Sequence, residues 1–156
     1  MTAAPDEIGF FLPLVVAVAI TLVTIAIHAL AFLATIHYVL RKQKLGHAGV
    51  WFLGDVAIVA VATLIMLVAH LVEIAVWAIV FAAIGEFPGL AWAFYHSAVN
   101  YTSLGLDNVI MSPTWRLLAP LEAADGMLMF GLSTAMLFAI AQRLVSARFL
   151  DSEPNS

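Results

Sequence analysis

The 156-residue chain is 64% hydrophobic and only 10% charged, with a formal net charge of −4 and no cysteine. Soluble domains carry about a quarter charged residues, so this balance and a mean hydropathy of +1.07 exclude an ordinary soluble enzyme and point to one small integral membrane domain; with no basic patch beyond a short loop, no nucleic-acid partner is expected. Without cysteine there is no disulfide and no thiolate chemistry.

Met1 to Glu7 contains Asp6 and Glu7 but no basic residue. It lacks the positive region of a cleaved signal peptide, so the first apolar segment is expected to be retained. That segment, Ile8 to Leu40, would be about 50 Å long as a helix, more than a hydrocarbon core of about 30 Å, and is expected to tilt or protrude. Thr21, Thr24, His28, Ala31 and Thr35 recur along it at alternating intervals of three and four, the small polar stripe by which one membrane helix packs on another. His28 reads either as a histidine hydrogen-bonded across that interface or as a ligand or proton carrier.

The basic cluster Arg41, Lys42 and Lys44 follows, in a loop that runs on to Gly49. Positive residues stay inside, so this loop is expected to be cytoplasmic and the N-terminus outside. A second apolar segment, Val50 to Ile84, then runs outward with Asp55 at the inner interface, and Gly85-Glu86-Phe87-Pro88-Gly89 ends it. His70 and Glu73 share one face of this helix at i and i+3. Counted from Gly85, they lie about 22 and 18 Å deep.

Leu90 to Val99 predicts a short helix of about 15 Å, half a bilayer core. The polar run Asn100-Tyr101-Thr102-Ser103-Leu104-Gly105-Leu106-Asp107-Asn108-Val109 comes next, set between two long apolar segments. Non-helical backbone survives at membrane depth only when it is buried in protein or faces a water-filled cavity. A half-span helix, a Thr-Ser-x-Gly turn and a polar return therefore predict a re-entrant loop, whose carbonyl oxygens can replace the water around a cation. Ser112-Pro113-Thr114 reopens a helix, with Thr114 as its cap, and a third span runs inward from Trp115 to Arg148 with Pro120 in its first turns. This topology puts five of the six basic residues in the cytoplasm.

The fold expected is all-α integral membrane: three transmembrane helices plus a re-entrant pore helix and filter-like loop. Residues 1–49 form the first span with its basic loop, and residues 50–156 form a pore-like module. Counted from Trp115, Glu122 and Asp125 lie about 10 and 15 Å deep, level with His70, Glu73, Asn100 and Tyr101. Two readings of this polar layer follow. In one, the carboxylates bond the loop and brace it. In the other, His70, Glu73 and Asp125, with His96, bind a divalent metal or pass protons. Nucleophile-elbow, P-loop, dinucleotide and His-Glu-x-x-His motifs are all missing, so no enzyme activity is expected. Met127, Met129 and Met136 stand at helical spacing and read as core rather than as soft-metal ligands.

From Ala91 to Ile140, about a third of the chain, Tyr95, Ser97, Asn100, Thr102, Ser103, Leu104, Gly105, Pro113, Arg116-Leu117-Leu118, Glu122 and Gly126 follow one pattern. In these residues the chain resembles the potassium-channel pore-domain superfamily, whose pattern runs aromatic-x-S-x-x-T-x-T-T-V-G-Y-G-D, then proline, then R-L-L-x-x-x-E-x-x-x-G. The resemblance implies a homotetramer in the lipid bilayer of a plasma or inner membrane, with K+ or Na+ held by Thr102, Ser103, Leu104, Gly105, Leu106 and Asp107. In the gapless register Asp107 replaces the family's second filter glycine and Leu106 its tyrosine; slipped by one, Asp107 meets the family's aspartate and Gly105 leaves its place. Either register gives a degenerate filter. Weak selectivity for potassium over sodium is expected, or else a channel-like protein that does not conduct and senses a metal ion or protons.

Overall fold

The structure, a computed structural model, describes residues 9–45, 51–105 and 110–149. Among these residues the chain forms four helices, α1 (Phe11–Lys44), α2 (Phe52–Ala83), α3 (Leu90–Tyr101) and α4 (Leu118–Phe149). α1, α2 and α4 are each long and apolar enough to cross a membrane. Their outward faces are as apolar as their buried ones, with Leu22, Leu30, Leu64, Leu128 and Phe138 all exposed. A helix of a soluble protein turns a polar face outward. These three helices fit a membrane protein, in which lipid covers the exposed side.

The spans predicted from the sequence are present, but their ends move. α1 continues past Leu40 to Lys44, so that Arg41, Lys42 and Lys44 form its last turn instead of a loop. Cations there face the negative end of the helix dipole, and Arg, Lys and Gln are good helix formers. α4 starts at Leu118 rather than Trp115, because a helix begun at Trp115 would require the proline ring of Pro120 where a backbone N–H is needed. Instead Trp115 and Arg116 both donate to Ser112 O in a turn, and Pro120 falls in the first turn of α4, where no N–H has an intrahelical partner. Thr114 therefore lies in a turn before α4 and does not cap it.

Two compact units divide the chain, Met1–Ala26 with Leu71–Met129, and Ile27–His70 with Phe130–Ser156. The core of the first is built on Trp77, Phe81, Tyr101, Leu118 and Met129. Gly9 closes it at one end by donating to Pro113 O at 3.0 Å. The core of the second is built on Val39, Ile58, Met66, Met136, Ile140 and Leu144, so Met129 and Met136 both serve as packing. In this second unit Arg148 pairs with Asp55 and lies 5.7 Å from the Phe52 ring, which ties the start of α2 to the end of α4.

Candidate functional site

α3 has twelve residues and no side-chain cap at Gly89. It is too short to be stable alone, so tertiary packing must hold it. Ala93, His96, Ser97 and Tyr101 fall at i, i+3, i+4 and i+8 and form its buried face. At its end Ser103 N donates to Asn100 O at 2.8 Å and Leu104 N to Val99 O at 2.9 Å. These paired bonds make a Schellman motif, whose left-handed residue is usually glycine. Here it is Ser103, at φ 56°. A non-glycine residue in that conformation costs about 1 to 2 kcal/mol, so the surrounding contacts must impose it. α2 ends in the same motif with the usual residue, Gly85 at φ 79°.

One of those contacts is with α4. A Cβ on Gly126 would stand 2.0 Å from the carbonyl oxygen of Tyr101 and 3.1 Å from its ring. Only a residue without a side chain lets the last turn of α3 lie so close to α4. The Tyr101 ring is fully buried there and its hydroxyl donates to Glu73 of α2.

Two further carboxylates act in the same unit. Ser97 lies between the Ile74 carbonyl oxygen, at 2.9 Å, and the buried Glu122 carboxylate. Asn100 lies close enough to Glu122 for its amide to act on that carboxylate, although its Nδ2 makes no well-aligned bond. Asp125 accepts from Trp77 Nε1 at 3.0 Å, and Thr24 Oγ1 stands 2.9 Å from the same Oδ2. The three acids thus meet α1, α2 and α3 by hydrogen bonds, as buried polar groups must. His96 packs against the rings of Phe81 and Phe87, with centroids 5.6 and 4.6 Å away.

Beyond α3, Thr102 Oγ1 donates back to Ala98 O at 2.7 Å, Leu104 is 58% exposed, and Gly105 takes φ 65°. Leu106 and Asp107 lie outside the described residues. Where the chain returns, Ser112 N donates to Glu86 Oε2 at 2.8 Å and Ser112 Oγ to Oε1 at 2.5 Å. Both ends of the connection from α3 to α4 are therefore held by carboxylates, Glu73 and Glu86. Behind it lies a cleft of about 230 Å³, lined by His96, Asn100, Gly105, Ile110 and Arg116 among others.

His70 lies in the other unit, where Ser133 Oγ stands 3.0 Å from His70 Nε2 and 3.4 Å from His28 Nε2. The two imidazoles are 5.4 Å apart, and Phe130 lies 4.3 Å from His70.

Compared with protein families, curated proteins and solved structures, the chain matches none.

Sequence reasoning overlooked Ser133, Trp77 and the Glu86–Ser112 clamp. Ser133 carried a signal, a lone hydroxyl in an apolar span, where polar groups seek partners across helices. Trp77 carried one in its indole N–H, which needs an acceptor when buried.

Proposed function

We propose that the chain is a subunit of a cation channel of the potassium-channel pore-domain type, with Thr102 to Gly105 as part of its ion path. The observation carrying this reading is the short helix α3, whose last turn lies against Gly126 while Glu73 holds its Tyr101. Those contacts, with α2 and α4, hold the point where the helical backbone of α3 ends and a non-helical stretch begins. Backbone of this kind at membrane depth is either buried in protein or lines a water-filled cavity, and the exposure of Leu104 supports the cavity. The negative end of the α3 dipole points into the same stretch, which favours a cation there.

In this reading α3 is a re-entrant helix entering from the outside, the N-terminus is external and the C-terminus cytoplasmic. One chain supplies one strand of carbonyls, whereas a stripped cation needs several around an axis, so four copies assemble. Glu73, Glu122 and Asp125 then brace the ion path rather than ligate ions. Because Asp107 or Leu106 stands where the resembled family has glycine and tyrosine, potassium is only weakly preferred over sodium.

Purified protein in liposomes with an outward potassium gradient tests the proposal. Flux of a potassium tracer above that of empty liposomes is expected, with sodium carried within roughly tenfold of it. Native mass measurement in detergent should give four chains; monomers and dimers alone would remove the channel reading.

A further inference from the structure

A second polar site lies apart from the connection that the channel reading uses. His28 and His70, from α1 and α2, are 2% and 5% exposed in the middle of long, mainly apolar helices. Their Nε2 atoms converge on one oxygen, Ser133 Oγ of α4, at 3.4 and 3.0 Å.

We infer that His28 and His70 bind a transition-metal dication of the zinc class, with the Ser133 hydroxyl marking where the ion approaches. Tetrahedral zinc takes imidazole nitrogens at about 2.0 to 2.1 Å, which puts two of them about 3.3 Å apart. A ring nitrogen of each histidine already lies within 4.8 Å of one on the other. Small side-chain rotations with displacement of the hydroxyl close that gap. Imidazole ligands select zinc, copper, iron or nickel over magnesium and calcium, which prefer oxygen. A dication between neutral imidazoles in a low-dielectric interior needs a compensating negative charge. The coordination positions that the two histidines leave open take water and an anion that enters with the metal, which supplies that charge.

The site requires no ion conduction, so it is tested by binding. Protein in detergent is stripped with a chelator, equilibrated with zinc chloride at micromolar concentration, desalted and assayed for metal. About one zinc per chain is expected in the wild type, displaced by cobalt with the visible absorption of a four-coordinate site. His28→Gln and His70→Gln should each lower retained zinc at least tenfold, while Ser133→Ala should retain it. Glutamine keeps a polar group of similar length, so these variants fold more readily than alanine ones. Calcium and magnesium should not compete. Wild-type protein that retains no zinc after desalting would overturn the inference, and so would His28→Gln and His70→Gln variants that retain as much as the wild type. Flux without zinc binding would leave the channel standing and remove this site alone; zinc binding without flux would do the reverse.

Discussion

Gly126 offers the sharpest mechanical test of how α3 is held. Replacing it with alanine removes a helix-weakening residue from α4, a gain of up to about 1 kcal/mol by propensity. The new Cβ would, however, meet the Tyr101 carbonyl oxygen at 2.0 Å, where ordinary contact begins at 3.4 Å. The last turn of α3 must retreat by about 1.4 Å or α4 must bend, and the atom in the way is backbone, which has no rotamer to change. Overpacking of this kind costs about 1 to 3 kcal/mol, and loosening the buried bond from Tyr101 to Glu73 adds to it. Gly131 in the same helix is the control, because a Cβ there meets nothing within 4 Å. Thermal unfolding in detergent should show Gly131→Ala at or above wild type and Gly126→Ala below it by about 1 to 3 kcal/mol, a gap wider than propensity allows. Equal stability of the two variants would refute the close packing of α3 on α4.

Glu73→Gln retains an acceptor for the Tyr101 hydroxyl, whereas Glu73→Ala leaves it buried without one; the alanine variant should be less stable by about 1 to 3 kcal/mol in the same unfolding assay. Asp125→Asn should likewise be better tolerated than Asp125→Ala, which takes the acceptor from Trp77 Nε1, and indole fluorescence will report the difference. Ser103→Gly should stabilise the protein by about 1 kcal/mol, because glycine takes the left-handed conformation at φ 56° without a steric penalty. Under the proposed channel reading, in which four copies of Asp107 would concentrate cations at the outer mouth, Asp107→Asn should reduce cation flux in liposomes; unchanged flux would reject an acidic ring.

The long helices were readable because hydropathy over twenty or more residues is a strong local signal. Their ends were less so. Basic residues after Leu40 suggested a loop, yet they extend α1 by completing its dipole, and Pro120 moved the start of α4 by three residues. Depth counting brought Glu73, Tyr101, Glu122 and Asp125 to one level, because rise per residue is fixed in a helix. It gave no azimuth, and azimuth decides which groups touch. Asp125 meets Thr24 across 101 residues of sequence, a pairing set only when α1 packs beside α4. Ser133 went unnoticed for the same reason: a serine in an apolar helix shows its partners only after the helices are rotated into place. The positive φ at Ser103 was also hidden, since local propensity favours glycine there and tertiary contacts override it.

The central claim is that Thr102 to Gly105 line a cation path, and a flux assay in liposomes tests it most directly. With potassium, sodium and choline salts compared at equal ionic strength, the account predicts tracer flux for potassium and sodium, potassium ahead by less than about tenfold, and none for choline. Protein that reconstitutes as a folded tetramer yet carries neither potassium nor sodium would contradict it.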